Sequence, residues 1–175
     1  MLSIGVAIFN ETEIVATDGW AIDLAADVGG HVDWGTVKWW MEQDAMVRAF
    51  SWGGQMSAYT VAFNFKTFIA QHNPTEFWSK DPHFDHVILE NWWRRVNESV
   101  RTWDGRGTAP FLIGDFPIGY RQPRAYRTLV GEAKDLGYDA EEERGIYAAH
   151  NPIDDAAQQA RAVIAARAFI RGIPR

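Results

Sequence analysis

No cysteine occurs among the 175 residues. Disulfides, thiolate zinc sites, iron–sulfur clusters and a cysteine nucleophile are therefore excluded, and the absence fits a reducing, cytoplasmic setting. No apolar run approaches the ~18 residues that a bilayer-spanning helix needs, so no membrane partner is expected. The N-terminal stretch MLSIGVAIFNE has no basic region and no small-residue cleavage site, and it does not read as a signal peptide. Positive charge is also scarce: 17 Lys and Arg stand against 23 Asp and Glu, for a net charge of −6. Non-specific affinity for nucleic acid comes mostly from neutralising phosphates, so the balance argues against a nucleic-acid partner. Basic residues gather only at Arg121, Arg124, Arg127 and Lys134, and there Glu132 and Asp135 interrupt them.

What is present is a heavy aromatic load, 14% of the chain with nine tryptophans. Such a load serves a bulky core, a subunit interface or both. Hydrophobic residues at 47% and charged residues at 23% are ordinary for a folded protein, so one domain over residues 1–175 is expected. Residues 3–9 and 13–22 read as two strands around a turn at Asn10-Glu11-Thr12, with Ile14, Ala16, Asp18 and Trp20 on one face. Residues 36–41 and 45–52 read as a second hairpin around Glu42-Gln43-Asp44. The period then lengthens to that of a helix over 56–71, closed by Asn73-Pro74. Asp81-Pro82 opens a second helix reaching 104, with Phe84, Ile88, Trp92, Val96 and Val100 at helical spacing. Residues 109–116 and 119–130 read as a further strand pair limited by Pro117 and Pro123, and Gly145–Ala149 as a short strand. Asp154 and Asp155 are read as caps for a helix over 156–171. The order is that of an α+β domain, not a βαβ nucleotide fold.

Four segments carry a resemblance. They are Ser3-Ile4-Gly5-Val6-Ala7, Ile14-Val15-Ala16-Thr17-Asp18-Gly19, Lys38-Trp39-Trp40, and Phe50-Ser51-Trp52-Gly53-Gly54 running into an aromatic helix. Together they resemble the proteasome-type N-terminal nucleophile hydrolases, and most of all the bacterial two-component relative of the proteasome. The likeness is detailed over residues 1–70 and beyond them is one of element order. It implies a four-layer αββα sandwich, shortened at its C-terminal end. It also implies roles: Asp18 holds Lys38, Lys38 tunes a terminal amine and hydroxyl, and the Gly53 N–H faces an oxyanion. The nucleophile position holds no hydroxyl, and Ser3, the nearest one, is out of register. In place of the family's serine turn the chain reads Ala148-Ala149-His150-Asn151-Pro152. The expectation is thus a catalytically degenerate subunit that self-assembles into a ring or shell. A peptidase or amidase using Ser3 after loss of Met1-Leu2, acting on a peptide, is the alternative. A non-enzymatic aromatic binding module is a third. No cofactor is expected.

Other groupings are weaker. His83-x-x-His86 with Asp81 and Asp85 has metal-ligand residue types, but it reads as a surface helix start, and no metal is expected. Gly53-Gly54-Gln55-Met56-Ser57 lacks the lysine of a phosphate loop. His150 near Asp154 and Asp155 suggests acid–base chemistry, although capping explains the aspartates more simply. Ser51 and Thr17 have no nucleophile elbow. Of the pairs Trp39-Trp40 and Trp92-Trp93, one member each is expected in the core and the other at an interface or exposed.

Overall fold

An antiparallel hairpin begins the chain, and its register follows from one side chain in its turn. The computed structural model describes residues 2–26, 29–101, 112–139 and 150–172. Strands β1 (Ser3–Phe9) and β2 (Ile14–Ala21) pair from Ser3↔Ala21 to Phe9↔Ile14, with an irregularity at Ile8/Phe9. Asn10 Oδ1 accepts the backbone N–H groups of Thr12 and Glu13 at 2.8 and 2.9 Å, which closes the turn. A bond from Ile22 N–H to Leu2 O extends the pairing by one residue.

The expected second hairpin is instead two short helices, α1 (Trp34–Met41) and α2 (Ala45–Trp52). Each starts on an aspartate cap: Asp33 accepts from Thr36 N–H at 2.6 Å and Asp44 from Met46 N–H at 2.8 Å. These caps satisfy amides that a strand would have offered to a neighbour. Helix α3 (Ala58–His72) is capped by the Ser57 hydroxyl and ends where Asn73 turns left-handed at φ 44°. Strand β3 (Phe77–Ser79) is followed by helix α4 (Asp85–Arg101), which starts later than Asp81-Pro82 suggests. β3 pairs in parallel with β4 (Pro123–Ala125). The strand expected over 119–130 is therefore three residues long, and α5 (Tyr126–Asp135) takes the remainder. Residues 112–116 form no strand; 109–111 and Gly145–Ala149 lie outside the described residues. The last helix, α6 (Pro152–Ile170), is capped by Asn151, whose side chain accepts from Ile153 and Asp154 N–H. That cap displaces Asp154 and Asp155 into the first turn.

The core joins hairpin, α3 and α4: Ile4, Trp20 and Ile22 pack with Val61, Phe65, Ile69, Trp92, Trp93 and Val96. Both members of the Trp92-Trp93 pair are buried, contrary to expectation, because the Trp93 indole N–H finds the Gly114 carbonyl at 2.9 Å. Helix α6 lays small residues, including Ala160, Val163 and Ala166, inward. It comes so close to β1 that a Cβ at Gly5 would collide with the Pro152 carbonyl. A second cluster ties Val130, Ala133 and Tyr138 to Ala162 and Ala166. Among the described residues no helix is long and apolar enough to cross a membrane.

Candidate active site

Helices α4 and α6 both begin on one cleft of about 1980 Å³, so their first turns face it together. Both carry acid there: Asp85 in α4, and Asp154 and Asp155 in α6. Helix N-termini favour negative charge, which is why such residues suit these positions. Asp85 and Asp155 line the cleft with His150, Ser79, Lys80 and Gln159, while Trp40 of α1 lies at its wall.

The geometry around Asp155 is specific. His150 sits at φ 70°, a backbone conformation that non-glycine residues rarely adopt. Its N–H donates to Asp155 Oδ1 at 3.2 Å, so the turn that carries the imidazole is tied to the carboxyl. The ring stands edge-on to Trp39 at 4.8 Å. Burial pushes the Asp155 carboxyl above its ordinary pKa; the His150 N–H and the charges of His150 and Lys80 oppose that push. A carboxyl that resists ionising beside an imidazole is suited to acid–base work.

A second acid supports the far wall. Glu76 accepts from Arg167 at 2.6 Å and from the Trp78 indole at 3.1 Å, and Arg124 lies 3.5 Å away. Burial works against its charge, but these partners outweigh burial and hold the carboxyl below its ordinary pKa. The network links β3 to β4 and α6, and the Arg167 guanidinium also covers the Trp78 ring at 4.8 Å.

The residues expected at the site are scattered. Ser3 lines the cleft from β1, with its hydroxyl 3.4 Å from Ser51 Oγ. Asp18 is exposed on β2 and accepts its neighbour Gly19's N–H at 2.7 Å. Lys38 is exposed on α1, a helix and not a hairpin strand. The Gly53 N–H is committed to Ala49 O at 3.0 Å as the end of α2, so it faces no oxyanion. Among the described residues no ion pair joins Asp18 to Lys38. His86 packs its ring between Phe77 and Phe116 and does not line the cleft. Among the described residues, no group of three or more His, Asp or Glu comes together as a metal centre would require. Asp85 was visible in the sequence only as part of a helix start, and His150 with Asp155 as a candidate acid–base pair for which capping offered the simpler explanation. What joins Asp85 to Asp155 in the sequence is acid placed at the first turn of a helix.

Two carboxyls and an imidazole on one cleft form the equipment of a hydrolase that activates water by acid–base chemistry. The family model of the 3'-5' exoribonuclease Rv2179c-like domain matches residues 1–166, and the chain belongs to this family. No curated protein and no solved structure matches it. The family match overturns the resemblance to proteasome-type N-terminal nucleophile hydrolases. With it go the degenerate self-assembling subunit, the Ser3 peptidase or amidase and the aromatic binding module. The physical reason is visible in the first 54 residues, where the likeness assumed a second hairpin: the chain builds capped helices there, which separate Lys38 from Asp18.

Proposed function

We propose that the chain hydrolyses RNA from the 3' end, with Asp85, His150 and Asp155 as the reacting groups. The observation that carries this reading is that Asp85, His150 and Asp155 line one cleft, in a chain of an exoribonuclease family. Water attacks the terminal phosphorus, and the bond to the neighbouring nucleotide's 3' oxygen breaks. The exposed His150 imidazole takes the proton from that water and returns it to the departing 3' oxygen. Asp155 fixes the turn bearing the imidazole through the 3.2 Å backbone bond. Asp85, on the opposite helix, accepts a hydrogen bond from the water or from the terminal sugar hydroxyls. Lys80 brings positive charge to the phosphate beside Asp155.

The net charge of −6 argued against nucleic acid, yet that argument concerns proteins that neutralise many phosphates at once. An enzyme that takes one strand end into a cleft meets few of them. The test is a 5'-labelled single-stranded RNA incubated with the full chain. A ladder shortening from the 3' end, lost in Asp85→Asn, is expected. No shortening, or shortening that survives both Asp85→Asn and Asp155→Asn, overturns the reading.

A further inference from the structure

The bond to Asp155 fixes where His150 leaves the chain, but not where its ring points. Asp155 Oδ1 accepts the backbone N–H at 3.2 Å, which leaves the rotations about Cα–Cβ and Cβ–Cγ open. His150 is exposed, and exposed side chains change rotamer within picoseconds to nanoseconds. A general base must keep its nitrogen within hydrogen-bond reach of the water it deprotonates, so a second constraint on the ring bears directly on rate. Trp39 of α1 supplies one. Its ring lies 4.8 Å from the imidazole with the two planes 82° apart, inside the ~4.5–7 Å range over which edge-to-face aromatic pairs attract. His150 lines the cleft and Trp39 does not, so the indole backs the imidazole without taking space from the substrate.

Trp39 is itself held in place. Helix α1 starts on the Asp33 cap at 2.6 Å, and one turn on, the Trp39 carbonyl accepts the Gln43 side-chain amide at 2.8 Å. The Trp40 ring meets that of Trp39 at 5.2 Å and 77°, and Trp40 lines the cleft. A core role does not account for the indole: α1 buries none of its residues, and Trp39 stays 41% exposed. We infer that Trp39 is a positioning residue, which holds the His150 imidazole in the orientation from which it serves the cleft. The kinetic consequence rests on the exoribonuclease reading; the ring contact does not. An edge-to-face pair favours one orientation by about threefold to tenfold. The turnover step follows the population of that orientation, whereas substrate affinity does not, since the indole lies outside the cleft lining.

The test is proton NMR of the full chain beside steady-state cleavage of the labelled RNA. His150→Gly, which removes the ring and keeps the turn, assigns the His150 Hε1 resonance among those of the five histidines. In the parent that resonance is expected away from its free-histidine position, displaced by the indole ring current, with cross-relaxation between the two rings. It should return to that position in Trp39→Leu and stay partly displaced in Trp39→Phe. In Trp39→Leu kcat should fall about threefold to tenfold with KM unchanged. Trp39→Phe should recover most of the loss, and on the His150→Gly background Trp39→Leu should cost nothing more. An undisplaced His150 resonance in the parent, without cross-relaxation to Trp39, overturns the inference whether or not the variants fold. So does a Trp39→Leu effect that falls on KM, or one as large on the His150→Gly background, since Trp39 then acts elsewhere. A parent chain that leaves RNA intact overturns the exoribonuclease reading alone, because the resonance still decides whether the indole holds the ring.

Discussion

Asp155 Oδ1 accepts the backbone N–H of His150 at 3.2 Å, across a turn whose φ of 70° no ordinary residue favours. The bond couples a carboxyl whose pKa burial raises to an imidazole that lines the cleft. The strain in the turn and the burial of the acid both work against stability, as functional sites commonly do.

Stability and activity should therefore part at Asp155. Its carboxyl titrates above the ordinary 3.8 in the folded chain because burial disfavours the charge. The folded state then binds more protons than the unfolded one between 3.8 and the raised value, so stability falls as pH rises through that window. Asp155→Asn can still accept the His150 N–H. The variant is expected to melt higher than the parent at pH 7, with the gap closing as pH approaches 3.8, and to lose RNA hydrolysis. Thermal scans at a series of pH values check the sign; an Asn variant that melts lower at pH 7 contradicts it.

At His150 the backbone offers a clean separation. Glycine is at home at φ 70°, so His150→Gly keeps the turn and should hold Tm close to the parent. Losing the base should slow hydrolysis by about 10²–10⁴-fold. Asp85 is exposed, and Asp85→Asn should change stability by no more than ~0.5 kcal/mol. Its effect on hydrolysis should still be at least about a hundredfold. Single-turnover cleavage beside chemical denaturation separates the two quantities.

Glu76 should behave in the opposite sense to Asp155. Its carboxyl is held below the ordinary value because Arg167, Trp78 and Arg124 outweigh burial. That stabilisation is fully present above 4.5 and is lost as pH falls through the depressed folded value. Glu76→Gln is expected to cost about 1.5–3 kcal/mol at pH 7, the range for hydrogen bonds to charged groups. The cost should shrink in acid. A loss that stays constant from pH 7 to pH 3 would assign the effect to packing instead.

Lys38 shows where sequence reasoning failed and why. Thr-Val-Lys-Trp-Trp-Met has the β-branched and aromatic content of a strand, and with Asp18 it looked like half of an ion pair. Two aspartate side chains, Asp33 and Asp44, decide otherwise by capping helices, and a cap weighs more than a weak propensity. The hairpin at 3–22 and helices α3 and α4 were legible from their periods, and α6 from the acidic residues at its start. The β3–β4 pairing was not, since a parallel pair three residues long leaves no period to read. Nor was the site: the chain separates Asp85 from His150, and no local spacing announces that two helix starts line one cleft. Both Asp18 and Lys38 are exposed. Lys38→Met, Asp18→Asn and their combination should each stay within ~0.5 kcal/mol and add without coupling. A coupling energy above that level in the double-mutant cycle would restore the pair.

Two glycines give opposite expectations from one substitution. At Gly5 an added methyl would run into the Pro152 carbonyl and the Ile153 amide, where α6 begins. Backbone on both sides cannot yield as a flexible side chain would, so Gly5→Ala must push α6 off β1. That movement also shifts Asp155, about one turn along the helix. Overpacking of a well-packed site costs about 1–3 kcal/mol and occasionally more, and this contact, being backbone against backbone, belongs at the upper end. Gly131 lies within α5 with nothing within 4 Å of the position an added methyl would take. There Ala removes backbone freedom from the unfolded chain and raises helix propensity, a gain of about 0.5–1 kcal/mol. Chemical denaturation of the two variants beside the parent should place Gly5→Ala well below it and Gly131→Ala slightly above. If Gly5→Ala is as stable as the parent, α6 does not seat on β1 at Pro152, and the approach of Asp155 to the cleft loses its structural cause.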